Sequence, residues 1–283
     1  MIPIYADTNV GPKFYTRADA LLVRHTFFTI QSEGPFCGRP AFFIRLGGCN
    51  LGDKSKYCSF CDSDFRAEHS TYQTYQELLD KILEVRAPLE YDPLIVITGG
   101  EPFLQAIQLQ RFVRHLHENL DWVEIQFESN GTMFSHIRSL LAQAVYNSVS
   151  VVVSPKAAMT DDGLHFTGDP GASFTDAEES DSASEETWFI ADNLYYKFVV
   201  SADPTSKHNQ LPAWVDRIPP EKVYISAIAE YRRELKPGET ANLWDATLID
   251  QASTSKNYQY AAELAMEKGF NLSVQSHLLC SIE

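Results

Sequence analysis

Cys49, Cys58 and Cys61 stand in the pattern C-x8-C-x2-C. Three thiols in one loop are soft ligands for a metal centre. A four-thiolate zinc site needs a fourth ligand, and neither Cys37, twelve residues upstream, nor Cys280 stands at an obvious spacing. Three thiolates also hold three irons of a 4Fe–4S cluster and leave one iron open to a substrate or cofactor. A structural zinc site and a redox-active Cys58-x-x-Cys61 pair are the other readings of the same spacing. Phe60 sets an aromatic ring directly before the last cysteine.

A second motif, Gly99-Gly100-Glu101-Pro102, follows a strand pattern. Two glycines there let the backbone approach a ligand closely. Read alone, the motif is a strand-to-helix turn with a proline near the helix start. Read with the cysteine loop before it, it marks a site.

The elements that must position these residues alternate along the chain. Strand patterns run over 41–46, 93–98, 123–127, 148–153, 195–200, 222–225 and 271–275. Helix patterns run over 75–85, 104–120, 134–144, 210–216 and 261–268. Such alternation predicts an α/β fold with a parallel sheet. In parallel α/β folds, ligands sit at the carboxyl ends of the strands. Gly47-Gly48-Cys49, Thr98 to Pro102, Glu128 to Thr132, Ser154-Pro155-Lys156 and Ser201 all follow strand patterns.

The 283 residues carry 23 Lys and Arg against 38 Asp and Glu, a formal charge of −15, which makes a general nucleic-acid binder a poor expectation. Ten of the acids lie between Lys156 and Lys197, where there is no Lys or Arg. Residues 157–187 read as an exposed acidic loop insertion. No apolar run reaches the roughly 20 residues of a membrane span. The start of the chain lacks the basic-then-apolar pattern of a signal peptide. The odd cysteine number argues against a disulfide framework, so a cytoplasmic protein with reduced thiols is expected.

The motifs resemble those of the radical S-adenosylmethionine superfamily, whose usual C-x3-C-x2-C is five residues shorter in its first arm than the pattern here. Within it, five segments are similar to the 7-carboxy-7-deazaguanine synthase family: Ile30 to Pro35, Phe43 to Leu51, Cys58 to Ser63, Ile97 to Pro102 and Glu128 to Thr132. Val153 to Lys156 and the closing Leu272 to His277 extend the likeness, which covers about residues 25–156 and 195–283. It implies a single domain over 1–283, a partial (β/α)6 barrel, with 1–24 as an N-terminal extension and 157–187 as an insertion. It implies a homodimer, a small electron-transfer protein as reductant, and no nucleic-acid or membrane partner. The implied cofactors are a 4Fe–4S cluster, S-adenosylmethionine and Mg²⁺. The implied reaction is ring contraction of 6-carboxy-5,6,7,8-tetrahydropterin to 7-carboxy-7-deazaguanine with loss of ammonia. It starts with removal of the pterin C6 hydrogen by a 5′-deoxyadenosyl radical, so no side chain is needed as acid or base.

The resemblance also assigns roles. Cys49, Cys58 and Cys61 bind the cluster, and the Ser63 hydroxyl binds Mg²⁺. Phe60, Cys61, Asp62, Gly100, Glu101, Ser154, Pro155 and Lys156 contact S-adenosylmethionine. Ile30, Gln31, Ser32 and Glu33 hold the amide–amidine edge of the pterin, which a carboxylate reads by paired hydrogen bonds. Arg45 takes the substrate carboxylate through its guanidinium fork; Thr98, His277 and the terminal Glu283 add contacts. Cys37 and Cys280 are ordinary thiols. Two other readings compete: a glycyl-radical activase of the same superfamily, and a zinc-stabilised binding module whose acidic loop recruits a basic partner. The Gln31, Glu33 and Arg45 set argues against the activase, since a protein substrate needs no pterin-edge reader. The acidic segment reads as a solvated loop; a docking surface for a small electron carrier is the alternative, and the acidity common in such carriers counts against it.

Overall fold

The computed structural model describes residues 17–51, 65–142, 148–169, 192–231, 248–280 and 282. The chain divides into two compact units, residues 1–29 with 40–153, and residues 30–39 with 154–283.

In the first unit the strands are β1 (Ala20–Ile30, whose last residue falls to the second unit), β2 (Pro40–Leu46), β3 (Thr71–Thr74), β4 (Leu94–Gly99), β5 (Ile125–Ser129) and β6 (Val149–Val153). Their order is β3-β1-β2-β4-β5-β6. The pairs β2–β4, β4–β5 and β5–β6 are parallel, and β1–β3 is antiparallel. Ile44, Ile97, Phe127 and Val151 stand level across four strands, all fully buried. The opposite face carries polar side chains: Arg45 is level with Thr98, and Gln126 with Ser150. Successive strand residues point to opposite faces, so one buried run supplies both an apolar core layer and a polar surface.

Helix α1 (Tyr75–Arg86) starts at a capping box in which Thr74 and Glu77 satisfy each other's backbone N–H groups. Its buried residues Tyr75, Leu78, Leu79 and Ile82 follow the helical repeat. Helix α2 (Ala106–Asn119) buries Leu109, Phe112, Val113 and Leu116 in the same way. Its predicted first turn is a 3-10 turn over Pro102–Gln105. Helix α3 (Phe134–Leu141) completes the unit.

In the second unit, β7 (Ala157–Thr160) and β8 (Gly163–Phe166) form an antiparallel hairpin. Strands β9 (Leu194–Val200), β10 (Val223–Ala227) and β11 (Asn271–Ser273) are parallel in the order β9-β10-β11. Helix α4 (Gln251–Lys268) is capped by Asp250, whose carboxylate accepts from Ala252 N and Ser253 N. It stops at Gly269, whose φ of 71° is a left-handed conformation glycine adopts freely. A short helix, α5 (Ser276–Cys280), follows.

Four expectations are corrected. The N-terminal extension does not reach residue 24, because Ala20 to Arg24 belong to β1, with Leu21 and Val23 fully buried. The acidic segment is not a loop from residue 157: Ala157 and Ala158 are fully buried in a hairpin strand, and residues 170–191 lie outside the description. The 210–216 segment is a 3-10 turn over Ala213–Arg217 rather than a helix. Helix α4 begins ten residues before the predicted start, because polar residues occupy its buried side. There Asn257 donates to Ile228 O at 2.9 Å and accepts from Ala202 N at 2.8 Å. Among the described residues no helix is long and apolar enough to cross a membrane.

Candidate functional site

Cys49 follows β2 and is buried. Its surroundings are set by the two glycines after β4. A Cβ on Gly100 would lie 2.2 Å from Gly48 O and 2.5 Å from Cys49 Cβ, distances that real Cβ atoms do not reach. A Cβ on Gly99 would meet Leu46 O at 2.4 Å, and its φ of 149° also suits glycine. The glycine pair thus brings the end of β4 against the cysteine arm, and Glu101 N donates to Gly48 O at 3.0 Å. Cys58, Phe60, Cys61, Asp62 and Ser63 lie outside the described residues, as does Glu283. Among the described residues no group of three His, Cys, Asp or Glu gathers to hold a metal. Cys49 itself fits an iron–sulfur group: it is a soft donor after a strand's carboxyl end, and Gly100 packs beside it without a Cβ.

Glu101 is buried and its carboxylate is engaged. It accepts from Phe103 N at 3.0 Å, from Ser129 Oγ at 2.9 and 3.0 Å, and from Asn130 N at 2.7 Å. Beyond it, Asn130 Nδ2 donates to Asn50 Oδ1 at 3.1 Å, and Asn50 Nδ2 donates to Thr132 Oγ1 at 2.6 Å. Asn50 is the neighbour of Cys49, so one polar chain links the ends of β2, β4 and β5. Asn50, Ser129 and Asn130 carry no role in the sequence reading. The signal for them was the Glu128-Ser-Asn-Gly-Thr132 segment itself.

Arg45 and Thr98 stand level on the polar face of the first unit. The Arg45 guanidinium lies 5.6 Å from the Phe27 ring centroid, and Phe27 stacks on Phe43 at 4.9 Å. A cation over an aromatic face is attracted by the ring's negative face.

In the second unit, Ser32 Oγ and His277 Nδ1 are hydrogen-bonded at 2.7 Å. Ser276 N donates to Ser32 O at 3.2 Å, and Ile282 N to His277 O at 3.2 Å. Gln31, buried, accepts from Glu33 N through Oε1 at 3.2 Å. Ile30 ends β1. Glu33 Oε2 pairs with the Lys197 ammonium, and Gln275 Nε2 donates to Glu33 Oε1 at 2.7 Å. Burial pushes the Glu33 carboxyl up; Lys197, by charge and by hydrogen bond, His277 and Gln275 outweigh it and hold the group at about 2. Lys197 was not expected from the sequence, where Tyr195-Tyr-Lys-Phe-Val-Val200 reads as a core strand.

Ser154, Pro155 and Lys156 follow β6 and are fixed by the hairpin. Lys156 N donates to Thr167 Oγ1 at 2.9 Å, Thr167 N donates to Lys156 O at 3.0 Å, and Lys156 Nζ donates to Ser154 Oγ at 2.7 Å. Thr167 is fully buried.

The chain is similar to known proteins. The family model "Radical SAM superfamily" matches residues 43–178. A 7-carboxy-7-deazaguanine synthase of Rhodospirillum rubrum is 34% identical over 52% of this chain and 54% of its own length. One from Rickettsia prowazekii is 28% identical over 93% of this chain and 89% of its own. The chain therefore spans about half the length of the first of these relatives in the match. A crystal structure of QueE from Escherichia coli has a TM-score of 0.48 and 20% identity, covering 90% of this chain and 94% of that one. Residues 43–178 match the radical S-adenosylmethionine superfamily, and the chain is similar to the 7-carboxy-7-deazaguanine synthases.

Proposed function

We propose that the protein converts 6-carboxy-5,6,7,8-tetrahydropterin to 7-carboxy-7-deazaguanine with loss of ammonia, as a radical S-adenosylmethionine lyase of deazapurine biosynthesis. The observation that carries this reading is the engaged Glu33 carboxylate, held between Lys197 and Gln275 beside the Ser32–His277 pair. A carboxylate kept charged and oriented suits the paired N–H donors of a pterin's amide–amidine edge. A 4Fe–4S cluster with S-adenosylmethionine would supply the electron and the hydrogen-abstracting group.

The chain's own residues then have distinct tasks. Cys49, with Cys58 and Cys61, holds the cluster. Gly100, whose missing Cβ lets the backbone after β4 lie against Gly48 and Cys49, and Glu101 contact S-adenosylmethionine, the Glu101 carboxylate being held by Phe103 N, the Ser129 hydroxyl and Asn130 N. Ser154, Pro155 and Lys156 bind S-adenosylmethionine, together with Phe60, Cys61 and Asp62. Gln31, Ser32 and Glu33 read the pterin edge from the end of Ile30, while Arg45, Thr98, His277 and Glu283 bind its carboxylate side. Ser63 offers a hard oxygen to Mg²⁺. The whole chain is read as one domain of the partial (β/α)6 barrel type with an acidic insertion, working as a cytoplasmic homodimer with a small electron-transfer protein.

The test is anaerobic. The protein is reconstituted with iron and sulfide, reduced, and given S-adenosylmethionine, Mg²⁺ and the carboxy-tetrahydropterin. Mass spectrometry then detects 7-carboxy-7-deazaguanine, and Cys58→Ala abolishes it. Formation of 5′-deoxyadenosine without the deazaguanine would keep the superfamily and reject the substrate.

A further inference from the structure

Lys197 lies in the middle of β9, between Tyr196 and Phe198, which are buried on the other side of the strand. Its side chain is 8% exposed and that of Glu33 is 15% exposed. Taking both charges out of water is costly, and an apolar pair of similar volume would serve the fold as well or better. Stability alone therefore does not account for the pair. Its geometry does point to a use. Among the described residues each Glu33 oxygen has one partner, Lys197 on Oε2 and Gln275 on Oε1. A carboxylate oxygen accepts at two positions. Counted over the described residues, one acceptor position thus remains on each of the two oxygens. Gln275 is itself held, its N–H donating to Tyr258 Oη at 3.0 Å.

We propose that Lys197 is a positioning and specificity residue, which with Gln275 fixes Glu33 as a two-acceptor reader for adjacent N–H donors on a planar heterocycle. The inference rests on the reading that Glu33 contacts the substrate. It adds that Glu33 does so only while Lys197 carries its charge beside it. Without that ammonium, burial favours the neutral carboxyl, which turns one acceptor into a donor and repels an N–H donor. The other groups that face Glu33 are Lys197 on β9, His277 on α5, Gln275 before it and Tyr258 on α4. His277, Gln275 and Tyr258 are unchanged by a Lys197 substitution, so their effects are common to wild type and variant.

The experiment measures binding of 6-carboxypterin to the anaerobically reconstituted full chain by its fluorescence, from pH 5.5 to 8.5. Wild type serves as the reference for Lys197→Met, Lys197→Gln, Lys197→Arg and Glu33→Gln. Relative to wild type, Lys197→Met and Lys197→Gln are expected to lose affinity on the acid side, approaching about tenfold per pH unit below the point where Glu33 protonates. Both are expected to recover toward wild type at the alkaline end. Lys197→Arg keeps the charge and stays close to wild type throughout. In turnover, the neutral variants raise KM for the carboxy-tetrahydropterin at low pH far more than they lower kcat. A ratio to wild type that does not change with pH in both neutral variants overturns the proposal, as does loss at every pH in a variant with wild-type circular dichroism. Should Lys197→Met fail to fold, Lys197→Gln and Lys197→Arg decide by the same criteria. Glu33→Gln with unimpaired pterin binding refutes the substrate reading itself, an outcome distinct from failure of the Lys197 arms.

Discussion

Glu101 and Asn130 are joined by a 2.7 Å hydrogen bond from the Asn130 backbone N–H to the Glu101 carboxylate, inside the first unit. The same carboxylate takes Phe103 N and the Ser129 hydroxyl. Replacing Glu101 by Ala would leave three buried donors without this acceptor. The expected cost is about 2–4 kcal/mol in unfolding free energy. Glu101→Gln, which retains one acceptor oxygen, should fall between. Chemical denaturation of the cluster-free chain measures both, and an unchanged midpoint for Glu101→Ala would remove the clamp from the account.

Gly100→Ala places a methyl group where Gly48 O and Cys49 Cβ already stand. The Cys49 arm must move to admit it. Iron and sulfide incorporation, followed by visible absorbance and iron analysis, should fall well below that of wild type. Full incorporation would mean that the close approach of the two loops is not needed for the cluster.

Thr167→Val removes the acceptor that holds Lys156 N from the hairpin. About 1 kcal/mol of positioning is at stake, which corresponds to roughly five- to tenfold weaker binding of S-adenosylmethionine. Isothermal titration measures it. Equal affinity would free the hairpin from any part in arranging Ser154 to Lys156.

His208 is buried near Lys207 and Lys156, and burial followed by these two cations lowers its pKa from 6.5 to about 4. The folded state therefore holds it neutral. For a group whose folded pKa is depressed, stability is complete above the unfolded value and declines as pH falls toward the folded one. Wild type should lose about 2 kcal/mol between pH 7 and pH 5 from this group. His208→Gln should lose less over that interval. Urea unfolding at the two pH values compares them, and parallel losses would contradict the assignment.

Much of this arrangement was legible in the sequence. The runs at 41–46, 93–98 and 148–153 became β2, β4 and β6 within about a residue, because buried parallel strands are written as near-continuous apolar stretches. The residues after them, Cys49, Gly100 and Ser154, could be picked out for the same reason. Lys197 was not legible: one cation in an aromatic and aliphatic strand shows its purpose only when the segment bearing Glu33 is folded against it. Glu101 was legible from its motif, but its bonds to Ser129 and Asn130 were not, since these lie 28 and 29 residues further on. The hairpin was hidden by composition. The acids of residues 157–187 outweighed the short alternation in Ala157–Thr160 and Gly163–Phe166 that builds β7 and β8. Strand β1 escaped because Arg24 and His25, one on each face, interrupt its apolar run.

The most direct measurement of the central claim follows a hydrogen atom. Carboxy-tetrahydropterin bearing deuterium at C6 is turned over anaerobically by the reconstituted chain, and the 5′-deoxyadenosine formed is analysed by mass spectrometry. Deuterium in the 5′-deoxyadenosine, together with 7-carboxy-7-deazaguanine and absent in Cys49→Ala, is the predicted result. Unlabelled 5′-deoxyadenosine formed at the same rate with and without the pterin, and no deazaguanine, would contradict it.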